Sequence, residues 1–305
     1  MVTAMPTDLF EEVLELPDPA AQRRYARLVG LDHVKERLGK EAALLLDPKL
    51  LRDWSERHHD GRVITAVAQF EERPPRIVFA GDVGTGKTTL AESFGDAIAR
   101  THRIAVRVMR LSLRTRGTGA VVEMTRLLSA AFDTVIEEAR AVGDRAATIL
   151  VIDEADALAQ SRELTQMHHE DRAGVNTLIR GIDQLAAERL PVLVVMCTNR
   201  LAALDPAVRR RAAAEFCFDR PDQAQRAQVL REALHGAGLT EDDITHLARL
   251  TGDDGRGYSY TFSDLVQRLI PAAVLAAYPD QPLTAGVLAA QIARHPPTTR
   301  FGRDR

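Results

Sequence analysis

The sequence contains only two cysteines, Cys197 and Cys217, in 305 residues. Two isolated cysteines are too few for a disulfide framework, and their spacing does not make a Cys-x-x-Cys metal knuckle. The scarcity of cysteine therefore excludes a disulfide-stapled secreted domain, and it is typical of a protein from a reducing compartment.

Long hydrophobic runs are also missing. The run at residues 190–197, for example, is interrupted by Pro191 and is less than half of the roughly 20 residues that a membrane-spanning helix needs. The N-terminal residues include Asp8, Glu11 and Glu12, where a signal peptide has an apolar core. We therefore expect a cytoplasmic protein with no membrane partner.

Neither sign of charge is in large excess. The 40 lysines and arginines nearly balance the 43 aspartates and glutamates, which gives a net charge of −3 and a pI near 6.3. The chain lacks the positive field of proteins that coat nucleic acid, so we do not expect nucleic acid as its main partner. The 45% of apolar residues can fill the cores of about two domains of roughly 150 residues each.

Short apolar segments alternate with amphipathic ones in the middle of the chain. Strands are predicted at 76–80, 104–110, 148–152, 191–197 and 216–218, and helices at 87–100, 121–142 and 172–188. Continuous apolar strands joined by helices predict a parallel, doubly wound α/β sheet that is covered on both faces.

The two ends of the chain are predicted to be helical. Residues 1–75 begin with apolar side chains at helical spacing over residues 9–14. After Pro221 the strand signals stop, and Pro271 should kink the third of the helices that follow. These four helices are predicted at about 222–236, 241–251, 261–278 and 284–295.

A glycine-rich motif of the form GxxxxGK[ST] lies between the first of these strands and the next helix: Gly81-Asp82-Val83-Gly84-Thr85-Gly86-Lys87-Thr88. Glycines let the backbone curl so that consecutive N–H groups point at a polyphosphate near the helix N-terminus. Lys87 would then reach the β- and γ-phosphate oxygens, and the Thr88 hydroxyl would hold Mg²⁺. The flanking strand and helix favour this interpretation over a chance glycine-rich turn.

Polar side chains follow two other predicted strands. Strand 148–152 ends in Asp153, which fits a Mg²⁺ ligand acting through water, and Glu154, which fits a general base for the attacking water. Strand 191–197 is followed by Asn199, which could orient water near the γ-phosphate. The alternative role for Asn199 is a helix cap.

Three consecutive arginines, Arg209, Arg210 and Arg211, come next. Such a run is ordinarily a solvated face or a phosphate patch. At this position it also fits arginine fingers that reach the nucleotide of a neighbouring subunit, with Arg210 and Arg211 the better candidates.

The segments GDVGTGKTT, VIDEADAL, TNR and LDPAVRRR occur in this order and resemble the Walker A, Walker B, sensor 1 and arginine-finger motifs of AAA+ ATPases. The resemblance implies a Mg²⁺-dependent ATP phosphohydrolase with a P-loop AAA+ α/β fold and a small C-terminal all-helical lid. The expected boundaries are an N-terminal helical segment at 1–27, the large domain at 28–220, the lid at 221–297 and a disordered tail at 298–305.

The same resemblance assigns further positions. Val29 and Gly30 lie in a segment similar to the family's N-terminal linker, whose backbone lies near the adenine, and Thr89 extends the Walker A motif. By analogy with the family, the working form is a ring, usually a hexamer, with nucleotide between subunits.

Two departures from the family pattern stand out. Asp82 and Val83 replace the usual Pro-Pro, a change expected to matter little because backbone amides bind the phosphates. Residues 261–265 lack the arginine that many AAA+ proteins use as a second sensor, so no sensor 2 residue is assigned.

The segments at 218–221 and 262–273 are similar to the lid of the pachytene-checkpoint ATPases. This narrower resemblance implies a remodeller that engages a flexible segment of a HORMA-domain partner through the ring pore. It also implies bacterial anti-phage operons that encode a cyclic-oligonucleotide synthase. The first pore loop is then expected at Gly119, Ala120, Val121 and Val122, without the aromatic side chain of many threading ATPases.

The alternative hypothesis is a nucleic-acid-associated AAA+ ATPase, such as a clamp-loader-like or transposition-helper protein. In that case the same loops would follow a phosphate backbone, and ATP hydrolysis would be stimulated by DNA with a steep salt dependence.

Overall fold

The computed structural model describes residues 9–113, 120–143, 146–160, 171–255 and 257–300. Within this part of the chain, six strands form one sheet in the order β1-β3-β4-β5-β2-β6. They are β1 (Glu12–Leu16), β2 (Arg76–Gly81), β3 (Ala105–Ser112), β4 (Ala146–Asp153), β5 (Val192–Thr198) and β6 (Ala214–Phe218).

The helices fall into an N-terminal, a sheet-associated and a C-terminal group. The first group is α1 (Pro19–Ala26), α2 (Asp32–Leu46), α3 (Lys49–His58) and α4 (Thr65–Glu71). The second is α5 (Lys87–His102), α6 (Ala120–Val142), α7 (Ala157–Gln160), α8 (Asp171–Ala187) and α9 (Pro206–Arg210). The third is α10 (Gln223–Ala233), α11 (Glu241–Leu250), α12 (Ile270–Ala277) and α13 (Ala285–Arg294).

The predicted α/β sheet is confirmed, with strand limits within two residues of those expected. The pairs β3–β4, β4–β5 and β5–β2 are parallel. Every residue of β5 is buried, as the continuous apolar run requires when helices cover both faces. The register pairs Ser112 with Asp153 and Ala80 with Thr198, so the carboxyl ends of these strands lie along one edge.

Helices pack on both faces of the sheet. On one face, Val78 and Ala80 of β2 join a core with Leu128 of α6 and Leu178 of α8. On the other face, the Phe79 ring lies 6.4 Å from that of Phe94 in α5. The alternation along β2 places successive side chains on opposite faces and produces the doubly wound arrangement.

The predicted helix over residues 9–14 is wrong, because β1 forms there and pairs antiparallel with β3. Cross-strand ion pairs hold it: Arg107 Nε lies 2.5 Å from Glu15 Oε1, and Arg110 Nη1 lies 3.3 Å from Glu11 Oε2. A segment this short has too few apolar residues for a reliable period, and pairing with the open edge of β3 decides its conformation.

The chain divides into two compact units. The first comprises the described residues of 1–27, 33–80 and 88–217, and contains the sheet helices and nearly all of the sheet. The second comprises the described residues of 28–32, 81–87 and 218–305. Its core contains buried side chains from helices of the C-terminal group together with Val29.

Three of the four C-terminal helices, α10, α11 and α13, begin at a side-chain cap, and the group includes one irregular segment. Asp222 and Gln225 form a capping box at the start of α10. The helix predicted at 261–278 consists of a π-helical segment, Asp264–Leu269, followed by α12. Pro271 lies in the first turn of α12, where its missing N–H costs least. No helix among the described residues combines the length and apolar character needed to cross a bilayer.

The start of the expected C-terminal tail contacts the π-helical segment of its own unit. The Thr298 N–H donates to Asp264 Oδ2 at 3.0 Å, and the Thr298 hydroxyl donates to Oδ1 at 2.6 Å. The rest of that tail, residues 301–305, lies outside the described residues.

Candidate nucleotide-binding and catalytic site

The phosphate loop belongs to the second unit and has the backbone that its glycines permit. Gly84 and Gly86 have φ angles of 75° and 93°, values that strain any residue with a side chain. Lys87 Nζ donates to the carbonyl oxygens of Gly81 and Asp82 at 2.9 and 2.7 Å. The Thr85 hydroxyl donates to the same Asp82 carbonyl at 2.8 Å. These bonds hold the loop in a curled conformation.

Close contacts within the second unit also require small residues in this loop. A Cβ added to Gly81 would lie 2.1 Å from the carbonyl oxygen of Phe218, and one added to Gly84 would lie 2.7 Å from Thr261 Oγ1. The Ser263 N–H donates to the Gly84 carbonyl at 3.1 Å. The loop therefore packs directly against the segment that starts the π-helix.

The predicted adenine-side residues lie in the same unit. Val29 is buried in the core of the C-terminal helices. Gly30 has a φ of 71°, and its carbonyl accepts a hydrogen bond from Gln225 Nε2 at 3.1 Å. The structure thus places the 28–32 segment, the phosphate loop and the C-terminal helices in one unit, and an adenine-binding role for Val29 and Gly30 stays a prediction.

The predicted metal residues meet in the first unit. Thr88 Oγ1, in the first turn of α5, lies 3.2 and 3.4 Å from the two carboxylate oxygens of Asp153 at the end of β4. A hydroxyl and a carboxylate placed together in this way are oxygen ligands of the kind that Mg²⁺ prefers. Thr89 follows in the same helical turn, and its carbonyl accepts from the Ser93 hydroxyl at 2.6 Å.

The predicted general base has an unusual backbone. Glu154 has a φ of 55°, in the left-handed region that costs a residue with a side chain roughly 1–2 kcal/mol. Its N–H donates to Asp153 Oδ1 at 2.9 Å, and its carbonyl accepts from the Ala157 N–H at 2.8 Å. Strain that the surrounding bonds maintain is typical of functional turns, and here it fixes where Glu154 leaves the sheet.

The sequence analysis missed Asp156, which connects this turn to the predicted sensor. Asp156 is 6% exposed and accepts from the Thr198 hydroxyl at 3.3 Å and from the Asn199 N–H at 3.4 Å. Asp156 therefore fixes the carboxyl end of β5, which Asn199 follows. The available signal was a third acid after Asp153 and Glu154, but its spacing alone does not show its partner.

The finger candidates lie on and after α9, which Asp205 caps by accepting from the Ala207 N–H at 2.7 Å. Arg209 pairs with Glu215 at 3.3 Å. Arg210 and Arg211 are both exposed, and a finger role for either stays a prediction. Arg209 thus pairs with a carboxylate, whereas the exposed Arg211 donates only a long hydrogen bond, 3.4 Å from Nη1 to the Ala207 carbonyl.

A buried arginine that the sequence analysis did not identify contacts α9. Arg76 at the start of β2 is completely buried, and its Nη2 donates to the Val208 carbonyl of α9. Burial lowers the pKa of Arg76 to about 10; repulsion by Arg211 acts in the same direction, and attraction by Asp183 opposes it. Arg76 thus fixes the carboxyl end of the helix that carries the finger candidates.

A second electrostatic feature lies one turn beyond Thr88 on α5. Burial raises the pKa of Glu92 to about 7, although Arg110 Nε lies 3.0 Å from its carboxylate and acts to lower it. Glu12 and Asp153 also raise this pKa, and Arg24 lowers it. The α5 helix therefore carries a carboxyl group that titrates near neutrality.

Three of the four predicted pore-loop residues lie at the start of α6. Gly119 lies outside the described residues, and Ala120, Val121 and Val122 form the first turn of α6, where only the backbone is described. A pore-loop role for these four residues stays a prediction.

Known proteins resemble this chain over most of its length. The family model for the ATPase family associated with various cellular activities (AAA) matches residues 77–220. CD-NTase-associated protein 6 from Escherichia coli strain MS 115-1 is 53% identical over 279 residues, which is 89% of each chain. This chain is a member of the CD-NTase-associated protein 6 family of AAA ATPases. As an AAA ATPase it binds nucleotide and hydrolyses ATP.

Two solved structures also resemble this AAA ATPase over nearly its whole length. A chain in the E. coli MS115-1 HORMA:CdnC:Trip13 complex is 50% identical and aligns with a TM-score of 0.87, covering 96% of this chain and 97% of the other. Rhizobiales Trip13 is 44% identical with a TM-score of 0.74, covering 95% of this chain and 99% of the other. The likeness therefore includes the N-terminal and C-terminal helices as well as the ATPase core.

Proposed function

We propose that this AAA ATPase is a ring-forming remodeller of a HORMA-domain protein in cytoplasmic anti-phage signalling. The observation that carries the proposal is the near-complete match to a chain in a complex of HORMA, CdnC and Trip13 proteins. On this view the partner is a HORMA-domain protein, with a cyclic-oligonucleotide synthase as a further component. The ring resets or disassembles their signalling complex.

The phosphate loop, and the edge of the sheet where β4 ends in Asp153 and Glu154 follows, contain residues that fit ATP with Mg²⁺. The loop residues 81–87 would hold the triphosphate through their N–H groups, and Lys87 would exchange its present carbonyl partners for phosphate oxygens. Thr88 and Asp153 would hold Mg²⁺, which when bound neutralises phosphate charge. Glu154 would accept a proton from the attacking water, and Asn199 would orient that water.

Hydrolysis would require two subunits. Arg210 and Arg211 are exposed and lie on or just after a helix fixed by Asp205 and Arg76. In a ring, hexameric by analogy with the family, one or both would stabilise charge on the neighbour's nucleotide. The cycle would move residues 119–122 against a flexible segment of the HORMA partner.

The test uses Glu154→Gln with a HORMA-domain protein from the same organism, with and without its flexible segment. Glu154→Gln should bind ATP, hydrolyse it very slowly and retain the HORMA protein on size-exclusion chromatography. Glu188→Gln, at an exposed glutamate that pairs with Arg140, is the matched control and should release the partner as wild type does.

Two outcomes would contradict the proposal. One is an ATPase rate that the intact HORMA protein does not raise. The other is a rate that DNA raises steeply at low salt, which would favour a nucleic-acid ATPase. Normal turnover by Glu154→Gln would remove only the assignment of the general base.

A further inference from the structure

The phosphate loop contains a carboxylate where the bound ligand is strongly anionic. Asp82 is the second residue of the loop, between Gly81 and Gly84. A negative charge at this point opposes the binding of a triphosphate, because like charges held in a poorly solvated site repel strongly. The loop can therefore serve ATP only if the charge of Asp82 is balanced by the fold.

The balancing charge lies 138 residues further along the chain, in the segment that follows β6. Arg220 Nε donates to Asp82 Oδ2 at 2.7 Å, and Arg220 Nη2 lies 2.6 Å from the same oxygen. The two side chains are only 4% and 11% exposed, so water screens this ion pair weakly. Both residues belong to the second unit.

Arg220 is itself held in place by other groups of that unit. Its Nη1 donates to the Ser259 carbonyl at 2.5 Å, and its guanidinium lies 5.1 Å from the centre of the Tyr258 ring. A planar guanidinium with a carbonyl, a carboxylate and an aromatic ring around it is fixed in direction. It therefore presents its charge to Asp82 without needing to reorganise.

Asp82 in turn sets the shape of the loop. Its Oδ1 accepts from the Val83 N–H at 2.9 Å, and its carbonyl accepts from Lys87 Nζ and from the Thr85 hydroxyl. A carboxylate that lost Arg220 would draw on the nearby N–H groups and on Lys87, which are the groups needed for phosphate.

We propose that Arg220 is a positioning residue for nucleotide binding, which neutralises Asp82 and keeps the phosphate loop open to a triphosphate. The inference rests on the proposed ATP site and adds to it a residue outside the AAA+ motifs. It also changes the expectation that Asp82 matters little: this substitution in the loop is tolerated because Arg220 accompanies it.

The test is a double-mutant cycle read by equilibrium binding of fluorescent mant-ATP and by steady-state hydrolysis. Arg220→Ala should raise the Kd for mant-ATP about tenfold or more, because it removes the ion pair that balances the charge of Asp82. Its kcat at saturating ATP should fall much less. Asp82→Asn combined with Arg220→Ala should recover most of the lost affinity, because no uncompensated charge then remains.

Two further variants keep the result interpretable. Arg231→Ala removes an exposed ion pair with Glu241 in the same unit and should leave the Kd unchanged. Arg220→Lys keeps the positive charge without the planar fork, so its Kd should lie between those of wild type and Arg220→Ala, and it serves as the comparison with wild type if Arg220→Ala proves too unstable to purify.

The inference is overturned if Arg220→Ala binds mant-ATP as wild type does. It is also overturned if the double variant binds as weakly as Arg220→Ala, since Arg220 would then act only in folding. These failures differ from failure of the proposed site, in which wild type itself would not bind mant-ATP.

Discussion

Glu92 gives a stability prediction whose sign depends on pH. Its carboxyl is 14% exposed, and burial raises its pKa from the ordinary 4.5 to about 7. A carboxyl whose pKa is higher in the folded state stabilises the fold fully below pH 4.5, and this contribution is lost as pH rises through about 7. Glu92→Gln carries no charge at any pH and should remove this dependence.

The size of the effect follows from the shift. At about 1.4 kcal/mol for each pH unit, the change from 4.5 to about 7 corresponds to about 3 kcal/mol. Glu92→Gln should match wild type near pH 4.5 and exceed its free energy of unfolding by up to that amount at pH 8. The amide oxygen that this substitution introduces can still accept from Arg110, which also lies 3.3 Å from Glu11.

The assay is urea unfolding at pH values from 5 to 8, without nucleotide, followed by tryptophan fluorescence. Trp54 is the only tryptophan of the chain and belongs to the same unit as Glu92. The midpoint is the quantity to compare, because the rings of His58 and His59 lie beside the indole and can affect its fluorescence intensity. Glu188→Gln, at an exposed site, is the control. Parallel pH profiles for wild type and Glu92→Gln would refute the reasoning.

Two further predictions concern hydrolysis. Arg210→Ala or Arg211→Ala should lower kcat by about 10³-fold or more with little change in nucleotide Kd. Arg209→Ala, at the arginine paired with Glu215, should have a much smaller effect. A loss of nucleotide affinity without a loss of kcat would contradict a finger in trans. Asp156→Ala should lower kcat more than it changes KM and cost about 1–3 kcal/mol of stability, and Asp156→Asn should recover part of both; an unchanged kcat would contradict its positioning of the sensor strand.

The parallel core could be predicted from the sequence because its signals are local and strong. β5 is a continuous apolar run, and the phosphate loop follows β2 directly. β1 could not be predicted, because its five residues contain no strong period and its conformation is set by pairing with β3. Local pattern thus fails where a short segment forms the edge of a sheet.

The residues that hold the site in place could not be predicted from local sequence pattern either. Asp156 is visible in the sequence as an acid but not as the partner of Thr198, which lies 42 residues away. Arg76 is visible only as part of a strand, although its guanidinium supports α9 from 132 residues away. Motif spacing identifies groups that meet the ligand, whereas these residues act through other side chains and have no fixed spacing.

Asp82 shows that the need for one such supporting residue can be predicted from the sequence. A carboxylate in a phosphate loop is a local conflict between the residue and its ligand, and it can be seen in the sequence alone. Such a conflict predicts that a compensating cation exists, because an unpaired charge there would weaken ATP binding. It does not predict which of the 40 basic residues supplies it. In the structure that residue is Arg220, and the double-mutant cycle measures the coupling energy between Asp82 and Arg220 in ATP binding.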